Sequence, residues 1–387
     1  MNQIRNLLVL ILTCSNLTFG AEIVCYFTNW AVYRQGIAKF QVSNIDPHLC
    51  TIINYAFVGL NGNTGELKVL DDWSDNGLGN VKKVIGLKQQ NKKLKVLISM
   101  GGWTEGSTKY SHVAASPTLR ATFVKSVLKY IKAHGFNGFD LDWEYPVSRN
   151  GSPKDVQNFV TLLSELKRAF KPFNYLLTIA VPGGGSQVGI SYDVPKLMNV
   201  VDYVNLMLYD FRMATSVRYA AHHSPFHPCS QDSGENRQLS ASGGIHQWIA
   251  LGAKPSKLIL GIPFYARSFK LHNANKHKLY DPTDGPGPAG PLSKVAGFLS
   301  YQEICKYYKD ATYVWNDQQQ SPHSYKGTTW YGYDDPRSVG LKAQYARKTG
   351  LAGVMVWDLD FDDFNNSCGK GKYPLLTAIN KALKFEQ

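Results

Sequence analysis

Phe139-Asp140-Leu141-Asp142-Trp143-Glu144-Tyr145-Pro146 sets three carboxylates at alternate positions, separated by Leu141 and Trp143. In an extended strand alternate side chains share a face, so Asp140, Asp142 and Glu144 point one way and the apolar pair the other. The three span about 14 Å at ~3.4 Å per residue. Carboxylates this close cannot all ionise comfortably, so at least one pKa rises and a proton is retained or shared. A neutral acid beside a negative neighbour is the arrangement that glycosidic cleavage uses. Two other readings compete. The stretch could be an edge strand with its acids in water and Leu141 and Trp143 buried, or the cluster could hold a hard cation.

The flanking sequence decides what kind of strand this is. Short apolar runs recur at Ile23–Thr28, Thr51–Val58, Leu94–Met100, Gly138–Trp143, Leu176–Val181, Tyr203–Leu208, Leu258–Phe264 and Gly353–Trp357. They read as strands apolar on both faces, as buried parallel strands are. Amphipathic stretches lie between them. Leu119, Phe123, Val127, Leu128 and Ile131 share one helical face, as do Val156, Phe159, Val160, Leu163, Leu166 and Phe170. Further helices are expected near Leu78–Gln90, Ser240–Leu251, Arg337–Lys348 and Leu375–Leu383. Eight strands alternating with helices give an α/β fold of the (β/α)8 TIM-barrel kind, with an open doubly wound sheet as the competitor. On the barrel reading the carboxylates of strand four face the lumen near its C-terminal end, where barrel enzymes keep their active sites.

One interval breaks the rhythm. About eighty residues separate Tyr265 from Leu351, including Gly285-Pro-Gly-Pro-Ala-Gly-Pro291 and several aromatic clusters. The segment Ser268–Asp335 is expected to form an α+β subdomain, inserted between strands seven and eight and deepening a cleft at the barrel rim. Residues 21–387 then make one catalytic domain.

The chain has 387 residues, 44% of them hydrophobic, with no collagen-like or heptad period, which excludes general disorder. Met1–Gly20 carries Arg5, the apolar run Leu7–Leu12, and Thr18 and Gly20 before Ala21. This is the pattern of a secretory signal, and its apolar run is far short of the ~20 residues needed to cross a bilayer. A secreted, extracellular protein without a membrane span is expected. Its net charge of +13 is spread along the chain with no groove-reading motif, so no nucleic-acid partner is expected. Cys25, Cys50, Cys229, Cys305 and Cys368 follow the signal, none in CxxC spacing, and His222, His223 and His227 form no zinc pattern with Cys229. Gly183-Gly-Gly185 does not match a phosphate cradle. Neither a metal nor a cofactor is expected.

Asn137-Gly-Phe-Asp-Leu-Asp-Trp-Glu-Tyr-Pro146 resembles the signature of glycoside hydrolase family eighteen, the chitinases and chitinase-like lectins. The resemblance runs from Cys25-Tyr-Phe-Thr-Asn-Trp30 through Ser99-Met-Gly-Gly-Trp103, Met207-Leu-Tyr-Asp210 and Tyr265-Ala-Arg267 to Trp357-Asp-Leu-Asp360. It implies hydrolysis of β-1,4 bonds between N-acetylglucosamine units without a protein nucleophile, an exception to the two-carboxylate scheme. Glu144 would protonate the glycosidic oxygen while the substrate's own N-acetyl oxygen attacks the anomeric carbon. Asp142 would orient that acetamido group, Asp140 would share the proton with Asp142, and Tyr209 would hydrogen-bond the acetamido carbonyl.

The same resemblance implies a substrate-contacting set of Trp357, Asp210, Arg267, Trp103, Trp30, Trp73, Met207, Tyr265, Tyr26 and Phe57. Within it Trp357 is the apolar floor, and Met207, Tyr26 and Phe57 pack beneath. It further implies the disulfides Cys25–Cys50 and Cys305–Cys368, which leave Cys229 unpaired. Chitin or N-acetylglucosamine oligosaccharides would be the partners of a monomer. Silent lectin or growth-factor-like relatives usually lose the acid that stands here as Glu144, and a silent lectin is the alternative function. A third reading, hydrolysis of the chitobiose core of N-glycans, is disfavoured by the four tryptophans at positions 30, 73, 103 and 357.

Three positions depart from the family pattern. Asn137 replaces an Asp expected to support the lower end of the carboxylate ladder, which implies a shifted pH profile. Thr215 stands where a Trp contacts leaving-group sugars, and Val295 where many members carry a Glu. A remodelled cleft with altered subsites is expected.

Overall fold

The computed structural model describes residues 20–384, so all of the expected signal except Gly20 lies outside the described residues. Eight parallel strands close a barrel: β1 (Glu22–Thr28), β2 (Ile52–Leu60), β4 (Lys95–Gly101), β5 (Gly138–Asp142), β6 (Leu176–Pro182), β7 (Tyr203–Met207), β8 (Leu258–Pro263) and β15 (Gly353–Trp357). Each pairs with the next in that order, and β15 returns to β1, which closes the ring and rules out an open sheet. The two-residue β3 (Leu67–Lys68) pairs antiparallel with β2.

Alternation sorts each strand's residues between two cores. Facing the helices, Cys25, Phe27, Ile53, Ile98, Phe139, Leu141 and Trp143 join the large outer core. Facing the lumen, Val24, Tyr26, Ile52, Ala56, Phe57, Leu97, Ile259 and Met355 form a small inner one. Apolar residues therefore fill both faces of β1, β2, β4, β8 and β15, which is why those runs read as nearly continuous, while β5 turns Asp140 and Asp142 to the lumen.

The helical layer comprises α1 (Asn80–Gly86), α2 (Thr108–Ala115), α3 (Pro117–His134), α4 (Asp155–Phe170), α5 (Ser186–Ser191), α6 (Val194–Leu197), α7 (Ala241–Ala250), α9 (Pro336–Lys348) and α10 (Pro374–Leu383). Its signals are local. α3 starts with Ser116 accepting from Leu119 N and with Pro117 in the first turn, and it stops at Gly135 in the left-handed conformation. The sequence reading anticipated neither α2 nor the short α5 and α6. The helix expected over Leu78–Gln90 is split into α1 and a 3-10 turn. None of the described helices is long and apolar enough to cross a membrane.

Between β8 and α9 lies a second, six-stranded antiparallel sheet: β9 (Tyr265–Leu271), β10 (Thr283–Pro286), β11 (Phe298–Ser300), β12 (Thr312–Asn316), β13 (Ser321–Lys326) and β14 (Thr329–Gly332). With α8 (Tyr301–Tyr307) it makes an α+β insertion that opens directly on β8, with only Phe264 between. Cys25–Cys50 and Cys305–Cys368 are bonded, and Cys229 is a buried free thiol.

Candidate active site

Leu141 and Trp143 are buried in the outer core, and Trp143 stacks on Tyr110 with ring centroids 5.8 Å apart. Asp140, Asp142 and Glu144 on the opposite face are buried as well, at 0%, 4% and 8% exposure. The edge-strand reading therefore fails: the carboxylates are in the barrel lumen. Gly101 permits the close contact of β4 and β5 here. Its φ is +124°, and a Cβ would lie 2.0 Å from the carbonyl oxygen of Asp142.

Asp140 collects four donors from four other strands. Tyr26 Oη and Ser99 Oγ reach Oδ2, both at 2.7 Å, while Thr178 Oγ1 (2.6 Å) and Asn205 Nδ2 (3.2 Å) reach Oδ1. Burial pushes its pKa up and these bonds pull it back, with a net rise. Asp142 has a buried Oδ1 with no hydrogen-bond partner. Burial, then the charges of Glu144 and Asp140, drive its pKa far above the carboxylate range. Burial also lifts Glu144 to about 7, against a hydrogen bond from Tyr145 and the cation of Arg149, while Asp210 adds to the rise. The ladder thus keeps protons where isolated carboxyls would have lost them. The one possible metal-ligand cluster found among the described residues is Cys305, Asp363 and Cys368, whose two cysteines are disulfide-bonded.

Around the ladder the aromatic residues divide. Trp357 contacts Tyr26 (centroids 5.3 Å), lies near parallel to Phe57 (5.8 Å, 22°) and reaches Trp30 (6.5 Å), which makes one continuous apolar floor. Met207 packs against the same inner cluster. Trp73 and Trp103 stand apart, 63% and 62% exposed, with no ring contact to that floor.

On the β7 side, Asp210 adopts φ +59° and is gripped by Arg267 through Nε–Oδ1 and Nη2–Oδ2, both 2.7 Å. Burial works against ionisation of Asp210, yet His223 and Arg267 hold its pKa well below the usual range. Tyr265 packs edge-on to Tyr209 at 6.1 Å, and Tyr209 Oη lies 3.9 Å from Met355 Sδ.

Sequence reasoning missed two residues of this site. His223 places Nδ1 3.3 Å from Asp210 Oδ1 and Nε2 3.0 Å from the Tyr265 carbonyl, although it reads as one of three unremarkable histidines. Arg149 lies 3.8 Å over the Trp103 ring and donates to the carbonyls of Trp103 (2.7 Å) and Glu144 (3.1 Å). Three left-handed non-glycine residues, Val147, Arg149 and Asn150, were the missing signal, and they are visible only in three dimensions. Asn137 corrects an expectation. Its Oδ1 accepts from Val96 N and Lys88 Nζ on the outward face, so it does not touch the carboxylates. Thr215 and Val295 are exposed.

This geometry has relatives. The family model for glycosyl hydrolases family 18 matches residues 22–362. An endochitinase of Manduca sexta is 37% identical over 93% of this chain and 67% of its own. The structure of an Ostrinia furnacalis Group IV chitinase in complex with allosamidin superposes with a TM-score of 0.91, at 36% identity over 94% of this chain and 98% of that one. Human YKL-39, described as a pseudo-chitinase with retained chitooligosaccharide binding properties, gives 0.88 at 34% identity, over 94% and 99%. A match across nearly the whole barrel, carrying the buried carboxylate ladder of β5 with it, makes this chain a member of family 18 of the glycosyl hydrolases.

Proposed function

We propose that the protein is a secreted chitinase that hydrolyses β-1,4 bonds between N-acetylglucosamine units with retention of configuration. The observation that carries this reading is Glu144, buried at the open end of the ladder with its pKa raised to about 7. It can hold a proton at neutral pH and give it to a leaving oxygen. The substrate's acetamido oxygen would close on the anomeric carbon as that bond breaks, forming an oxazolinium ion. Asp142, above Asp140 on the same strand, would orient the acetamido group and offset its positive charge as its proton passes to Asp140. Glu144, then a carboxylate, would take a proton from the water that opens the ring.

The Trp357 floor suits the apolar C–H face of a pyranose, and Tyr209 would bond the acetamido carbonyl. Asp210, pinned by Arg267 and His223, presents an anion to sugar hydroxyls without having to reorganise. Residues 1–20 would be the export signal, and residues 21–387 one catalytic domain acting as a monomer.

Turnover of N-acetylglucosamine oligomers, with products resolved by mass, tests the proposal with Glu144→Gln alongside. Cleavage by the parent and loss of ~10²–10⁴-fold or more in the variant, with oligomer affinity kept, is expected. Binding without cleavage by the parent would make the cleft a lectin site. An active Glu144→Gln would refute the assigned acid.

A further inference from the structure

The inserted sheet has two faces, and the cleft uses one. Arg267, which holds Asp210, pairs with Gly332, and the next pair along, Ser268 and Tyr331, points the other way. Ser324 pairs with Tyr331, and Tyr313 with Ser324, so Tyr313, Ser324 and Tyr331 form one cross-strand row on the face away from Arg267. A groove of about 470 Å³ runs along this row, within the ~300–1,000 Å³ of small-ligand sites. Tyr301 at the start of α8 and Tyr308 just past its end roof it, and Tyr333 completes a lining of five tyrosines.

The walls are preformed. The α8 roof is fixed by the Ser300–Glu303 capping box, by Glu303 accepting from Leu292 N and Ser293 N, and by the Cys305–Cys368 disulfide at the groove's edge. Tyr313 is 48% exposed and donates to Asp335 Oδ2 at 3.0 Å. Ser324 Oγ pairs with Tyr333 Oη at 3.2 Å, which leaves the neighbouring Tyr331 hydroxyl without a hydrogen-bond partner. The only cations lining the groove are Lys309 and Lys370, both exposed at the rim. A phosphate would want a buried cation, and an acyl chain would want walls free of hydroxyls. Tyr331, Tyr301 and Ser324 are buried, so the rings open to a ligand are Tyr313 and the partly exposed Tyr308 and Tyr333. These rings beside their hydroxyls match a neutral pyranose, apolar on its faces and polar at its edge.

We infer that this groove is a second carbohydrate-binding site, separate from the cleft, which holds a distant part of the polymer that the cleft processes. Identifying the sugar as an N-acetylglucosamine chain rests on the chitinase reading; the groove itself does not.

The test uses the full-length protein in two assays. Retention on chitin beads is measured in a Glu144→Gln background, with Tyr308→Ala/Tyr313→Ala added. Turnover of the soluble N-acetylglucosamine trimer is measured with the same pair in the active protein. Bead affinity should fall about fivefold, the worth of an aromatic contact, with trimer turnover unchanged. Unchanged bead affinity, no retention to begin with, or a parallel fall in both assays would overturn the inference. Tyr313→Ala alone, at an exposed position, gives the same readout if the pair does not fold. A parent inactive on trimer whose bead retention still depends on Tyr313 would sink the chitinase reading and leave the groove standing.

Discussion

Asp140 and Asp142 stand two residues apart on one strand, and their side chains live in opposite circumstances. Asp140 is surrounded by donors from Tyr26, Ser99, Thr178 and Asn205, whereas Asp142 Oδ1 is buried with no partner at all. Four donors converging on two oxygens stabilise an anion. A buried oxygen facing nothing, between two other acids, stabilises a neutral carboxyl. The ladder is therefore graded: four hydrogen bonds moderate the rise in pKa at Asp140, whereas burial and the neighbouring charges raise Asp142 unopposed.

That difference predicts opposite outcomes for the same chemical change. In Asp140→Asn one amide group must face hydroxyl or amide donors, leaving a buried hydrogen bond unmade at a cost of about 1–3 kcal/mol. In Asp142→Asn a neutral amide replaces a carboxyl that burial and the charges of Glu144 and Asp140 already push towards its neutral form. Thermal unfolding should show a clear loss for the first variant and little change for the second, although both lose turnover.

Glu144 links activity and stability through one proton. As the general acid it must be protonated, so kcat/KM should fall above pH 7 with a single alkaline pKa near that value. The folded protein binds this proton more tightly than the unfolded chain does. Stability from this group is full below about pH 4.5, falls as pH rises towards 7, and stays lost above. Glu144→Gln should therefore raise the melting temperature at pH 8 and leave it nearly unchanged at pH 4, by an amount equivalent to roughly 3 kcal/mol. An equal effect at both pH values would show that Glu144 does not titrate as assigned.

Arg267→Lys keeps the charge beside Asp210 and removes the two-pronged grip. Lysine offers a point charge where a planar fork fits both carboxylate oxygens. Asp210 sits at φ +59°, so losing the fork frees a strained backbone as well as a side chain. A fall of ~10–100-fold in kcat/KM, mainly through KM, is expected from steady-state kinetics on oligomers.

The barrel and its carboxylates were legible because both rest on periodicity. The run Ile23–Phe27 has no charged residue and is closed by Thr28, and Asp140, Asp142 and Glu144 obey a period of two. What stayed hidden depends on contacts between segments far apart in sequence. Trp30 and Trp357 meet across the closing seam of the barrel, whereas Trp73 and Trp103 stand apart from that floor, and nothing in their local sequence separates the two pairs. Lys342, within the helix expected near Arg337–Lys348, is fully buried, which a lysine's sequence context does not announce. The second sheet begins at Tyr265, three residues before the expected Ser268, because β9 follows β8 with no turn signal between them.

Lys342 shows what such a hidden contact is worth. On α9 its Nζ donates to Asp334 Oδ2 (2.6 Å), the Ser224 carbonyl (2.8 Å) and Ser224 Oγ (3.0 Å), and Ser224 Oγ donates to the Leu208 carbonyl. The pair is 0% and 1% exposed and ties the loop after β7, which carries Tyr209 and Asp210, to the helical layer. Lys342→Met leaves Asp334 buried and uncompensated, and should cost about 3–5 kcal/mol in denaturant unfolding. The Lys342→Met/Asp334→Leu double variant should recover much of that loss.

Arg149 is the remaining charge that Glu144 feels. Its guanidinium covers one face of Trp103 and bonds the backbone carbonyl of Glu144, from a loop that the Asp155 carboxylate holds through Val147 N (3.1 Å) and Ser152 N (2.7 Å). Left-handed backbone at Val147, Arg149 and Asn150 persists because that carboxylate over-determines it. Arg149→Met keeps much of the stem that lies on the indole and removes the cation that lowers the Glu144 pKa. The alkaline limb of kcat/KM should therefore move to higher pH, since the acid now holds its proton longer. Arg149→Lys should restore part of the original profile, being cationic without the planar fork. A profile unmoved in Arg149→Met would show that this cation acts on Trp103 alone and leaves the acid untouched.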